Sequence, residues 1–229
     1  VNFLKMCGRY AWGQKIPLPH PKNLPLPPPP PSVSYNRAPG QKHPIVIQDE
    51  KEAVWVEAEW GIEPEQNLSF NCPKPINARI ETVFEKPIFK NCANKRRCLV
   101  PADGYFEWQK LEDQKYPHFH FLPDRTPFAM AGIWNESSRE GLAGHSFAVL
   151  THSASPGLLH VHYRMPVILE PGDWADWLCP YADLEPLLDH YAQCRQVPVL
   201  HQVSSRVNRV RENGISLIEE FSEKQSTLW

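Results

Sequence analysis

The chain has 229 residues, 41% of them apolar, so it can bury a sizeable core in one large domain or two small ones. Its 24 Lys and Arg against 26 Asp and Glu give a formal net charge of −2, which excludes a protein that coats nucleic acid by bulk electrostatics but allows a local basic groove. No apolar run approaches the roughly 18 residues of a membrane span, so we expect no membrane partner. The six cysteines have no repeating spacing, which favours free thiols in a reducing cytoplasm.

Proline is concentrated near the start of the chain. Seven of the 25 prolines lie between Pro21 and Pro31, and Pro27 to Pro31 form an unbroken run. Such a run lacks backbone donors and adopts an extended polyproline II conformation at the surface. We interpret it as a stiff connection between the first strand and the next element. The alternative is a docking site for a proline-recognition domain.

Short strands dominate the rest of the chain. Residues Ala53 to Trp60 alternate in polarity, as in a half-buried strand, and similar runs predict strands over His118 to Leu122, Phe128 to Trp134, Ser146 to Thr151, Met165 to Glu170 and Val197 to Val203. Helical spacing occurs over Asp173 to Leu178, with Asp173 as N-cap, over Asp183 to Ala192 and over Ile215 to Glu223. The sequence therefore predicts an α+β fold in a single domain, with a mostly antiparallel, barrel-like β core and a few peripheral helices.

Cysteine and histidine are common enough to raise the question of a metal site. Structural zinc normally uses ligand pairs at short spacing such as Cys-x2-Cys, and the chain has none. His118 and His120 would share one face of a strand and could chelate a metal together. Alternate residues on any solvent-facing strand have the same arrangement. We therefore expect no metal and no other cofactor.

Five polar clusters carry side chains suited to chemistry, namely Cys7 to Tyr10, Tyr35 to Gln41, Asn77 to Thr82, Arg97 to Trp108 and His162 to Ile168. Together they offer a thiol, a carboxylate, an imidazole, a carboxamide and several guanidinium groups. These are the parts of a nucleophile, an acid/base pair, an orienting amide and anion clamps. Taken singly, each has a simpler interpretation: Glu107 as a solvent-facing strand residue, His162 as a buried histidine with its hydrogen bonds made, or Asn77 as a helix cap.

In this order the clusters resemble the SRAP family (SOS response-associated peptidase). The matching segments run from Met6 to about Glu220 and read MCGRY, YNRAPGQ, WGIEP, NARIET, RRCLVPADGYFEW, MAGIW, RMPVIL and VSSRVN. Several are six or more residues long, which makes the resemblance far more specific than a lone motif. It implies one SRAP domain over residues 7–229, preceded by an extension over residues 1–6.

The resemblance implies covalent chemistry at Cys7. Members of the family recognise abasic sites in single-stranded DNA and link to them through an N-terminal cysteine. The α-amine of that cysteine condenses with the C1′ aldehyde of the open sugar, and its thiol adds to the resulting imine to close a thiazolidine. The amine has an unperturbed pKa of about 8, so a useful fraction is neutral near pH 7. The thiol has an unperturbed pKa of about 8.5, and a nearby base or cation would favour its reactive thiolate form.

The resemblance also implies roles for other side chains. Glu107 and His162 would transfer protons during ring opening and loss of water, with the division of roles left open, and Asn77 would orient the amine or the sugar oxygens. The implied DNA contacts are cations, an amide and apolar side chains, comprising Arg9, Asn36, Arg37, Pro39, Trp60, Arg79 and Arg164. Within this set the resemblance implies that Arg79 and Arg164 contact the phosphates beside the lesion. It implies that Trp60 and Pro39 supply an apolar or stacking surface for a neighbouring base.

The sequence departs from the family pattern in two places. Tyr163 stands between His162 and the RMP segment, where the family commonly has Asp, and this removes a carboxylate beside His162. The chain also begins with Val1 to Met6, and while these residues are attached Cys7 has no free α-amine. We expect a start-site artefact; a tag or a segment removed by cleavage are the alternatives.

The expected partner is single-stranded DNA containing an abasic site. It would be bound by a monomer that resides in the cytoplasm and joins the nucleoid at damaged DNA, with replication-associated proteins as further candidate partners. The activity implied is DNA–protein cross-linking with lyase-like Schiff-base chemistry in the SOS response. Two alternatives stay open: a cysteine-type autopeptidase that removes the residues preceding Cys7, and a non-covalent binder of modified DNA bases.

Overall fold

The computed structural model describes residues 8–222 except 16, 20, 22, 51, 64–73, 138–143, 184–187 and 194–195, so Cys7 and the predicted extension lie outside the described residues. Its strands are β1 (Tyr10–Trp12), β2 (Ser34–Arg37), β3 (Lys42–Asp49), β4 (Glu52–Trp60), β5 (Asn77–Arg79), β6 (Arg97–Ala102), β7 (Gly104–Leu111), β8 (Gln114–Phe121), β9 (Phe128–Ser137), β10 (Gly144–Ser153), β11 (Arg164–Pro166), β12 (Ile168–Leu169) and β13 (Val199–Gln202). Its α-helices are α1 (Pro87–Lys95), α2 (Trp174–Leu178) and α3 (Leu188–Ala192).

Five strands close into a barrel. Strands β4, β3, β6 and β9 pair in that order, and β10 closes the ring because it pairs with both β9 and β4. Only the β10–β4 pairing in this ring is parallel. Every residue of β6 is buried, as expected for a strand covered on both faces. The predicted α+β fold with a mostly antiparallel, barrel-like core is confirmed.

A second sheet covers one side of the barrel. Its strand order is β13-β8-β7-β1-β2, and each of these pairings is antiparallel. Alternate residues of β1 belong to different cores: Tyr10 and Trp12 join the main apolar core, while Ala11 joins a smaller one with Phe106 and Phe119. The second sheet therefore lies between the barrel and the C-terminal segment, with each of its faces buried against one of them.

The strand predictions are confirmed with one adjustment. The run predicted as one strand over Met165 to Glu170 divides into β11 and β12. Val167 lies between them, and its backbone bridges two barrel strands: its N–H donates to Leu150 O at 2.9 Å, and its carbonyl accepts from Ala131 N at 2.8 Å. The interruption transfers the chain from the edge of β10 to the edge of β9.

The helix predictions are partly wrong. The helix predicted over Ile215 to Glu223 is only a 3₁₀ turn, Ile215–Leu217, because the chain then turns to the second sheet, where Phe221 N–H donates to Gln202 O at 2.8 Å. The predicted helix at Asp173 forms as α2, but Asp173 makes no capping bond with its side chain and instead accepts from His190 at 3.1 Å. α3 covers the end of the predicted 183–192 helix, of which residues 184–187 lie outside the described residues, and α1 was not predicted.

The proline-rich segment packs on the domain. Trp55 donates its indole N–H to Pro27 O at 2.9 Å, and its ring stacks on Trp12 with centroids 5.4 Å apart. Leu24 is buried, whereas Pro27 to Pro29 are exposed. These contacts support the interpretation of a stiff connection.

No helix among the described residues is long and apolar enough to cross a membrane. Within the same part of the chain, no group of three or more His, Cys, Asp and Glu side chains is arranged to hold a metal ion.

Candidate active site

The start of the described chain lies beside Glu107. Tyr10 of β1 faces Tyr105 of β7, and Phe106 N–H donates to Arg9 O at 3.0 Å. If this antiparallel register continued by two residues from Tyr10, Gly8 would stand opposite Glu107. Glu107 shares a face of β7 with Tyr105, which belongs to the main apolar core on the barrel side.

Glu107 belongs to a polar face of the β7–β8 hairpin. Its side chain is 3% exposed, and it lies directly opposite His118. Two residues along, Tyr105 faces His120, and their rings stack with centroids 4.6 Å apart and an interplanar angle of 13°. Because side chains alternate across a strand, these four residues share one face, while Phe106 and Phe119 fill the smaller core behind it.

Burial lowers the pKa of both histidines of this face and so disfavours their charged forms. Burial lowers the pKa of His120 to about 3, and the charge of His118 lowers it further. Burial also lowers the pKa of His118, helped by the charges of His160 and His201. Because His160 acts electrostatically on both of these side chains, the loop that carries His160 and His162 lies within range of the Glu107 face.

Asn77 is positioned by the barrel strand β10. Asn77 pairs with Val149 and Arg79 with Thr151, both in parallel register. Trp60 fixes the residue before Asn77, since its indole N–H donates to Ile76 O at 2.9 Å. A Cβ on Gly8 would lie 3.8 Å from Ile76 Cδ1, so the start of the chain also contacts the approach to Asn77. The start of the chain thus contacts both β7, the strand that carries Glu107, and the residue before Asn77.

His162 lies on the other side of β10, immediately before β11. Its backbone N–H donates to Leu158 O at 3.2 Å, and its Nδ1 is 3.1 Å from the backbone N of Arg164, which donates to it. A neutral ring that accepts at Nδ1 carries its proton on Nε2. Nε2 is buried and has no hydrogen-bond partner within the described part of the chain.

Arg164 is held inside the protein by an acidic partner. It is 7% exposed, and its two terminal nitrogens donate to the Glu81 carboxylate at 2.6 and 2.8 Å. A further bond runs to Thr151 O at 2.5 Å. Burial would raise the pKa of Glu81, but the hydrogen bond and charge of Arg164 outweigh burial and lower it. The pair fixes Glu81, which follows β5, to β11 across the end of β10.

Three residues predicted to contact DNA make internal contacts instead of presenting open side chains. Arg9 donates to Asn36 Oδ1 at 2.8 Å and to Val207 O at 2.6 Å. Burial lowers the pKa of Arg9. Asn36, 2% exposed, donates to the carbonyls of Val207, Arg209 and Glu212. Arg37, equally buried, contacts His43 Nδ1 at 3.0 Å.

The remaining predicted contacts divide between surface and core. Arg79 is exposed, and Pro39 is half-buried in the turn before β3. Trp60 is 2% exposed and stacks on Phe147, so its ring presents no surface to a base in this conformation. Arg79 is therefore the exposed cation of the predicted set, and the start of the described chain contacts the strand that carries Glu107 and the residue before Asn77. Cys7 itself lies outside the described residues.

Sequence reasoning missed the partners of these residues. The stacked pair Tyr105 and His120 and the ion-pair acceptor Glu81 were not predicted to support the site. The signal for the first pair is the turn at Glu112 and Asp113: a hairpin closed there fixes the register that brings His118 opposite Glu107. No comparable signal exists for the pairing of Glu81 with Arg164, which are 83 residues apart in sequence.

Solved structures share this fold. An X-ray structure of a protein from Bacteroides thetaiotaomicron superposes with a TM-score of 0.69 at 23% sequence identity, covering 80% of this chain and 82% of that one. A phage-related protein from Bordetella bronchiseptica superposes with a TM-score of 0.66 at 25% identity, covering 87% and 95%. The fold is therefore that of a recurrent class of barrel-based α+β domains.

Sequence comparison identifies the family. The family model described as SOS response associated peptidase (SRAP) matches residues 6–210. Abasic site processing protein YoaM of Bacillus subtilis is 31% identical over 198 residues, which cover 81% of this chain and 84% of that protein. Abasic site processing protein YedK of Escherichia coli is 30% identical over 225 residues, covering 93% and 99%. The chain belongs to the SRAP family, as its motifs predicted.

Proposed function

We propose that the protein, once its chain begins at Cys7, traps abasic sites in single-stranded DNA as a covalent thiazolidine. The observation that carries the proposal is that the start of the described chain pairs with β7, the strand of Glu107, and contacts the residue before Asn77 at Gly8. Cys7 precedes Gly8 by one peptide bond, and one residue spans at most about 3.6 Å. The names of the relatives, which are abasic site processing proteins, support the same substrate.

The reaction balances with the loss of one water. The lone pair of the Cys7 α-amine attacks the C1′ aldehyde, and the carbinolamine loses its hydroxyl as water to leave an imine. The thiol sulfur then bonds to the same carbon while the imine nitrogen takes up a proton. Glu107 and His162 would carry protons in these steps, and the carboxamide of Asn77 would orient the amine. A buried carboxylate beside a forming iminium would also stabilise its positive charge.

This chemistry does not require a large electrostatic contribution to the affinity for DNA. A net charge of −2 gives little non-specific affinity for DNA, but a covalent bond would hold the lesion once it has been positioned. We therefore propose a monomeric sensor that uses a few local cations, Arg79 foremost, to position one lesion. The setting we propose is the response to DNA damage.

The test is a denaturing gel with protein that begins at Cys7 and a single-stranded oligonucleotide carrying one abasic site. We expect a heat-stable adduct whose mass equals the sum of its parts minus one water. Cys7→Ala should abolish it, whereas Cys179→Ala, a matched control at a half-buried thiol, should not. Glu107→Gln should slow formation about 100-fold, as loss of a general acid/base does. Absence of an adduct, or its persistence in Cys7→Ala, contradicts the proposal.

A further inference from the structure

Tyr163 presents an aromatic ring beside the candidate site. Its side chain is 54% exposed. One face of the phenol stacks on His162, with centroids 4.6 Å apart and an interplanar angle of 25°. The exposure shows that much of the ring remains open to solvent. A flat aromatic surface is thus available directly above the imidazole predicted to transfer protons.

The backbone around Tyr163 is fixed. Tyr163 O accepts from Ala154 N at 3.0 Å, which continues the pairing of β11 with β10. On the opposite edge of β10, Arg79 pairs with Thr151 and is exposed. An exposed cation and an exposed ring therefore lie on the two flanks of the same end of β10. Leu159, in the same loop, is also 54% exposed.

We propose that Tyr163, backed by His162, is a stacking platform for the nucleobase next to the lesion in single-stranded DNA. This inference rests on the proposed function. Every base has a π-face, and stacking on an aromatic side chain contributes about 1–3 kcal/mol per base. A base missing its neighbour at the lesion has lost stacking on that side, so a protein ring can replace it. At this position a carboxylate would instead repel the phosphates.

The test is a double-mutant cycle on DNA that cannot react. The oligonucleotide carries a tetrahydrofuran residue in place of the abasic sugar, so it has no aldehyde, and binding is measured by fluorescence anisotropy. Two further oligonucleotides carry a second tetrahydrofuran in place of the base on the 5′ side or on the 3′ side. We expect Tyr163→Leu to weaken binding about tenfold when the neighbouring base is present, and to have no effect when the base on the stacking side is missing.

Two variants serve as controls. Tyr163→Phe keeps the ring and should bind as the wild type does. Tyr181→Leu removes a tyrosine that is 93% exposed elsewhere on the surface. It should bind each of the three oligonucleotides as the wild type does. An equal loss for Tyr163→Leu on all three oligonucleotides would mean that Tyr163 only supports His162, which overturns the proposal. A wild type that binds all three equally, or none of them, overturns it too.

The two proposals fail in different ways. Failure of the covalent chemistry appears as missing adduct on aldehyde-bearing DNA, whereas the cycle is read from reversible binding alone. The stacking platform also predicts that the rate of adduct formation at low DNA concentration falls with Tyr163→Leu only when the neighbouring base is present.

Discussion

At the scale of single residues, the polar motifs contain the residues proposed for the chemistry and others that hold the protein together. Glu107 and His162 belong to the first group, whereas Asn36, Arg37 and Arg164 make contacts to carbonyls, an imidazole or a carboxylate. The same residue types serve both purposes because a buried guanidinium or amide requires partners wherever it lies. Sequence motifs alone do not separate these roles.

Asn36 illustrates a structural role with a measurable effect. Its amide donates to three carbonyls of the 207–212 segment and accepts from Arg9, so Asn36→Ala leaves several buried groups without partners. We expect the free energy of unfolding to fall by about 3 kcal/mol in urea titrations. Asn94→Ala, at an exposed amide that bonds within its own helix, should cost less than about 0.5 kcal/mol. Equal effects would contradict this assignment.

At the scale of elements, the β7–β8 hairpin positions the site, and its register depends on close packing. Strands with clear alternation, such as β4, were predictable from the sequence. The helix over Ile215 to Glu223 was not, because its helical spacing is overridden where Ile218 O and Phe221 N bond to the second sheet. The spacing of apolar residues shows which side of a segment will be buried. Whether that segment is a helix or an extended chain depends on the tertiary contacts it makes.

Gly104 is the tightest point of this hairpin. A Cβ there would lie 2.3 Å from the Phe119 ring and 2.4 Å from His120 O, so Gly104→Ala must push β7 and β8 apart. We expect a loss of about 3 kcal/mol in stability, together with slower adduct formation because Glu107 moves with β7. Gly157→Ala, which meets nothing within 4 Å, is the control and should change neither. Thermal unfolding and the gel assay check both outcomes; wild-type stability of Gly104→Ala would refute the packing argument.

At the scale of the whole molecule, closing the barrel buries titratable groups that the unfolded chain exposes. His43 is 2% exposed; its Nδ1 accepts from Arg37, and its Nε2–H donates to Ala38 O, which fixes the neutral tautomer. Burial, opposed by the bond to Ala38 and assisted by the charge of Arg37, lowers the pKa of His43 to about 4. Burial lowers the pKa of His120 to about 3.

The lowered pKa values of His43 and His120 predict that the folded protein loses stability in acid. An unfolded histidine titrates near about 6.5, so below that pH the unfolded chain binds protons that the native state does not, and stability falls until the folded pKa values are passed. Each histidine contributes up to about 1.4 kcal/mol per pH unit. We expect His120→Phe to reduce the slope of unfolding free energy between pH 5 and 6.5 by about this amount. Between pH 7.5 and 8.5 variant and wild type should have the same slope; an unchanged slope in acid would contradict the prediction.

The sequence by itself determined the family, the α+β class and the candidate residues Asn77, Glu107 and His162, because specific residue order and strand periodicity are local properties that a chain displays before it folds. Only the tertiary structure decided which of the polar side chains meet. Tyr10 pairs with Tyr105 on the strand of Glu107, Arg164 is paired with Glu81, and Tyr163 is left exposed beside His162. Such contacts depend on register and closure of the sheets, and these are set by the packing of the whole core.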